Sequence, residues 1–162
     1  MKPLLRMTRT MFESVKEDLL RVHPFAYERV GFLYSKTSES NLISYVFAYE
    51  SVEDDDYEKD PLVGASISSD AIRKSMQYAL DHNCGVFHVH FHGFYGKPSF
   101  SGVDKNSLRH LVPSFNVVSP DNIHGGIVLS NDSASSMVLT PGSKRLKIGK
   151  ISIVGFPTIV RR

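Results

Sequence analysis

Three histidines fall on alternate positions of the segment Val86-Phe87-His88-Val89-His90-Phe91-His92. Side chains of a β-strand point to opposite faces with period two, so Phe87, Val89 and Phe91 share one face and His88, His90 and His92 the other. The first set can bury against a helix while the imidazoles line a cleft. Two imidazoles one residue apart on a strand emerge about 7 Å from each other and can converge on one metal ion. A lone histidine is more often a satisfied core residue. Three on one face, beside a loop rich in Gly, Pro and Ser at 93–102, point instead to a metal site. The chain has one cysteine, Cys84, which excludes a thiolate zinc site and leaves imidazole and carboxylate as ligands. A catalytic zinc site commonly has three protein ligands and a water. Ser101-Gly102-Val103-Asp104 supplies a carboxylate, Asp104, at the start of the next helix. The helix dipole also favours an acid there, and the same placement can aim the carboxylate at the strand end.

The elements that must carry these residues follow from patterning. Residues 4–8 read as a short extended start. Thr10, with Glu13 three residues on, fits a capping box, and Phe12, Val15, Leu19 and Val22 give one apolar helical face that ends at His23-Pro24. Segments 27–35 and 42–49 read as a hairpin about the Ser/Thr/Asn-rich turn 36–41. Residues 50–60 hold seven acidic residues in eleven and read as a solvated loop, because the ligand spacing of an EF-hand is absent. A third strand fits 63–67. A helix capped by Ser69-Asp70 follows, with Ile72, Met76, Ala79 and Leu80 inward and Asn83 as a left-handed cap. The histidine strand takes 85–92, and a short helix, 104–111, stops before Pro113. Strands then fit 126–130, 136–140 and 146–154. The expectation is a single α/β domain over residues 1–162, with a mixed, mostly antiparallel, curved sheet flanked by about three helices.

Together, Glu28-Arg29-Val30-Gly31-Phe32-Leu33, His88-Val89-His90 and Ser101-Gly102-Val103-Asp104 resemble the JAMM signature of the JAB/MPN metalloprotease family. That signature joins an upstream glutamate to His-x-His and then Ser-x-x-Asp. The order of helices and strands is similar to an MPN domain. Pro113-Ser114-Phe115 and His124-Gly125-Gly126-Ile127-Val128-Leu129-Ser130 are similar to bacterial JAB proteins, including those encoded beside ubiquitin-type activating and conjugating enzymes. The resemblance implies an MPN fold and a zinc ion (Zn2+) held by His88, His90 and Asp104. It makes Glu28 the general base and then acid, and Ser101 a donor to the oxyanion. One departure is the loop: ten residues separate His90 from Ser101 and eight separate His92 from it, where the family usually has seven. The ligand pair is therefore His88/His90 or His90/His92, and the aromatic Phe87 before His88 favours the first. The implied activity is a zinc-dependent isopeptidase or peptidase that cuts the amide after the C-terminal tail of a ubiquitin-like protein or conjugate. Ubiquitin-type activating and conjugating enzymes of the same operon are then expected partners. A catalytically inactive MPN scaffold that binds a partner protein is the alternative; a hydrolase of small peptides or cysteine-derived conjugates is a third.

Composition agrees with such a protein. Lys plus Arg number 19 against 17 Asp plus Glu, a formal charge of +2, too even for a nucleic-acid partner. Apolar residues at 41% and charged residues at 22% argue against a disordered chain. No apolar run approaches the length of a membrane span, and with one free thiol and no leader pattern the expected compartment is the cytoplasm. Lys144, Arg145, Lys147 and Lys150 read as a solvated strand face, His124 as structural and Cys84 as a small buried hydrophobe.

Overall fold

The computed structural model of the protein describes residues 2–40, 43–142 and 144–155. In chain order the elements are β1 (Leu4–Thr8), α1 (Arg9–Leu19), β2 (Val30–Thr37), β3 (Ile43–Ser51), a 3-10 turn (Asp54–Asp56), β4 (Tyr57–Glu58), β5 (Ser66–Ile67) and α2 (Ser69–His82). Then come β6 (Gly85–Phe91), α3 (Gly102–Val118), β7 (His124–Leu129), β8 (Ala134–Thr140), β9 (Lys144–Leu146) and β10 (Lys150–Val154). Eight strands form one sheet in the order β10-β1-β3-β2-β6-β7-β8-β9, and β4 pairs with β5 apart from it. The pairs β1–β10, β1–β3 and β6–β7 are parallel and the others antiparallel, so the sheet is mixed and mostly antiparallel, as expected. β9 and β10 are neighbours in the chain yet lie at opposite ends of the sheet order. The sheet must therefore curl until its ends approach. The linker between them bridges the gap: Ile148 N–H donates to Ser136 Oγ on β8, and Gly149 N–H donates to Pro3 O beside β1.

Each face of the sheet buries its own layer. Leu5, Leu33, Phe87, Val89 and Phe91 pack with Val15 and Leu19 of α1. On the other face Val30, Phe32, Tyr34 and Val86 pack with Ala71 and Ala79 of α2 and Phe115 of α3. The alternation of β6 thus sends Phe87, Val89 and Phe91 under α1, and Val86, His88 and His90 to the α2/α3 side. Fully burying one such side chain contributes about 1.5–3 kcal/mol, so this pattern fixes the register of β6.

Several boundaries differ from the sequence reading. Thr8, not Thr10, caps α1, its Oγ1 accepting from Met11 N–H, and the helix stops at Leu19. Val22 is 91% exposed; the carbonyls of Arg21 and Val22 are taken by the Arg29 guanidinium, which ties the chain away from the helical path. Ser68 caps α2, and its buried face is Ala71, Ser75 and Ala79, with Leu80 exposed. Small residues let that helix lie close to Tyr34 and Phe115. Asn83 does form the left-handed cap, at φ 44°. α3 runs through Pro113 to Val118. Proline costs a helix interior about 3 kcal/mol, and the burial of Leu108, Val112 and Phe115 on one stripe across it outweighs that cost. The third strand shrinks to Ser66–Ile67, and 146–154 divides into β9 and β10. Residues 41 and 42, read as turn and strand start, lie outside the described residues.

Candidate metal centre

β6 lies between β2 and β7, with His90 opposite Val30 and His88 opposite Phe32 across the antiparallel ladder. Continuing that register by two residues sets Glu28 opposite His92. Their side chains meet there, His92 Nε2 lying 3.3 Å from Glu28 Oε1. His92 N–H donates to Leu129 O at 2.8 Å, which extends the β6–β7 pairing just past the strand.

α3 brings the second carboxylate. Ser101 Oγ accepts from Asp104 N–H at 3.1 Å, and Asp104 Oδ2 accepts from Ser101 N–H at 2.7 Å, a reciprocal capping box. This fixes Asp104 in the first turn, with Oδ2 4.0 Å from His90 Nε2. The helix can approach because β7 carries Gly126, where a Cβ would lie 2.4 Å from Leu108 Cδ1.

Glu28 is held by the segment 63–67, which the sequence reads as a strand, while the acidic run 50–60, which it reads as a solvated loop, secures the residues that follow. Tyr27 and Glu28 N–H both donate to Gly64 O, at 2.9 and 3.1 Å. A Cβ on Gly64 would stand 2.9 Å from Glu28 Oε2, so glycine lets the carboxylate lie against the backbone. Arg29 is 3% exposed and donates to Arg21 O, Val22 O and Asp54 Oδ1. The Tyr57 hydroxyl accepts from Val30 N–H. Asp56 accepts from Lys74 Nζ and Ser68 Oγ. The acidic run is therefore partly an anchor: Asp54 ties it to Arg29, the residue after Glu28 and just before β2, and Asp56 ties it to α2. An arginine beside the candidate base, followed by an acidic cluster, was the available signal.

A cleft of about 650 Å³ runs between residues 62–67 and α3, lined by Glu28, His88, His90, His92, Ser101 and Asp104 among others. Burial lowers the pKa of both His88 and His90 to about 4, against the pull of Asp104, so both are neutral at pH 7 and have lone pairs to offer. Burial, with the Asp104 charge nearby, raises the Glu28 carboxyl although His92 opposes it. Burial also acts upward on Asp104, but its Ser101 hydrogen bonds and the neighbouring His90 and His88 bring it below the usual value.

The donor set suits a divalent cation. His90 Nε2 is buried and has no hydrogen-bond partner among the described residues. One ligand atom each from Glu28, His90 and His92 lies within 4.8 Å of the others. Ligands of a tetrahedral zinc, bound at about 2.0–2.1 Å, stand roughly 3.3 Å apart, so small side-chain adjustments would close the site. The imidazole nearest to His90 is His92, with ring centroids 5.1 Å apart against 6.2 Å for His88. His88 instead meets Phe32 edge-on at 5.9 Å. Ser101 keeps its hydroxyl proton after accepting the cap bond. His124 is fully buried away from the cleft, and burial pushes the Cys84 thiol up to about 11, which leaves it unreactive.

No protein-family model matches the chain, and no curated protein matches it. Among the described residues no helix is long and apolar enough to cross a membrane.

Proposed function

We propose that the protein is a metal-dependent amide hydrolase with an MPN-like fold, related to the JAB/MPN metalloproteases. The observation that carries this reading is His90 Nε2: buried, without a hydrogen-bond partner among the described residues, and facing His92, Glu28 and Asp104. His90 and Asp104 are the ligands common to both sets that the resemblance implies; Glu28, although its carboxylate lies within 4.8 Å of His90 and His92, is assigned the base role instead. The resemblance adds His88 as the third; the shorter ring separation and the contact with Glu28 support His92. Zinc, when bound, supplies Lewis acidity and lowers the pKa of water towards about 7.

The chain's own residues do the rest. Glu28 takes a proton from the attacking water and returns it to the leaving amine, and its raised carboxyl pKa suits it to hold that proton between steps. The Ser101 hydroxyl donates to the oxygen on which charge develops. The cleft has room for several residues of extended chain, which fits the C-terminal tail of a ubiquitin-like protein. The test is Glu28→Gln, assayed on a ubiquitin-like protein joined through its C-terminus to a lysine side chain. Zinc should stay bound while turnover falls at least about 100-fold, in the range for a lost general base. Turnover at the wild-type rate contradicts the role of Glu28.

A further inference from the structure

A second groove, of about 370 Å³, lies beside α3 and is bounded by β8 and β9. Its walls include Val112, Met137, Leu139 and Leu146, and among the described residues it shares only Leu108 with the metal cleft. Leu146, on the last strand of the sheet, is 39% exposed. Around this apolar floor stand Lys2, Arg109, Arg145 and Lys147, all exposed, and among the described residues no acidic one lines the groove. Among the described residues none of the four is in an ion pair. The whole chain carries +2, so without these four cations it would carry −2. The groove thus concentrates more positive charge than the entire net excess.

The basic stretch read from sequence as a solvated strand face is, at Arg145 and Lys147, the rim of an apolar depression. A fatty-acid headgroup would answer one cation, whereas these four come from the N-terminal segment, α3, β9 and the linker after it. A flat bilayer would reach the rim and miss the floor. An extended polypeptide alternating apolar and acidic residues answers both: its apolar side chains enter the floor, and the long lysine and arginine side chains at the rim reach up to the carboxylates between them. β9 has an outer edge with no partner strand among the described residues, where a peptide backbone can pair.

We propose that this groove docks an acidic, apolar-anchored extended segment of a partner protein. The inference is independent of the metal reading.

The probe is a fluorescein-labelled decapeptide alternating leucine and glutamate, titrated with the full chain and read by anisotropy at physiological salt. Saturable binding is expected. It should weaken at least tenfold with Arg145→Glu/Lys147→Glu and at least fivefold with Leu146→Ser. The control Lys59→Glu/Lys97→Glu changes net charge equally outside the groove and should leave affinity within twofold. A decapeptide with serine for leucine, tested on the unaltered protein, should bind at least tenfold more weakly, a result that needs no variant to fold. Absence of saturable binding, equal loss in the control variant, or equal affinity for the serine peptide overturns the proposal. So does binding of phosphatidylglycerol vesicles, lost in the groove variant, without binding of the peptide.

Discussion

His124 opens β7 with its ring fully buried, and its hydrogen bonds fix the tautomer. Nδ1 accepts from Val86 N–H at 3.1 Å, which leaves Nε2 to donate to Ser119 O at 2.7 Å. A proton added at Nδ1 would face the Val86 N–H with a second donor. Burial lowers the pKa of His124 from 6.5 to about 4, although the Ser119 bond opposes it. Between those values the unfolded chain binds more protons than the folded one. Stability is therefore full above pH 6.5, falls as pH drops towards 4, and levels off below. Linkage puts the loss at pH 5 at about 2 kcal/mol. The assay is urea unfolding from pH 7.5 to 5 in EDTA, comparing wild type with His124→Gln. The variant should start less stable, because Gln cannot reproduce both bonds, yet lose about 2 kcal/mol less than wild type between the two pH values. His88 and His90 titrate in the same direction in both proteins and cancel in the comparison. Parallel stability curves for the two proteins would refute the reasoning.

Two further substitutions separate structure from chemistry in the cleft. Ser101→Ala removes the cap of α3 and should cost about 1 kcal/mol in thermal or urea unfolding, whereas Ser101→Gly should cost only a few tenths; both should lose about 100- to 1000-fold in kcat if the hydroxyl serves the oxyanion. Full turnover in Ser101→Gly would confine the residue to capping. Gly64→Ala puts a methyl 2.9 Å from Glu28 Oε2; zinc content should hold while kcat falls roughly 10- to 100-fold, and unchanged kcat would show that the Glu28 carboxylate tolerates the shift.

Much of this arrangement was legible in the chain. Period-two alternation placed Phe87, Val89 and Phe91 against α1 and the histidines on the opposite face, because burial on one side specifies register. The Ser101–Asp104 spacing, which offers a ligand carboxylate at a helix start, also forms the capping box that holds Asp104 there. What escaped was long-range. The end of α1 depends on Arg29 capturing carbonyls eight and seven residues away, and the anchor of the acidic run depends on Asp54 meeting that arginine. α3 passes Pro113 because tertiary burial overrides local propensity. The pairing of Glu28 with His92 required the β2–β6 register, which no local pattern encodes. The division of 146–154 arises because Leu146 ends β9 while Lys150–Val154 form β10, at opposite ends of a curled sheet.

The most direct test of the central proposal is zinc content measured by elemental analysis on protein purified without chelator. Wild type is expected to hold about one zinc per chain. His90→Ala and Asp104→Ala should both fall to background, and of the other two histidines His92→Ala should lose the metal while His88→Ala retains it. Loss in His88→Ala alone would move the third ligand to His88. A folded wild type that binds no divalent metal, even when zinc is supplied, would contradict the metal centre itself.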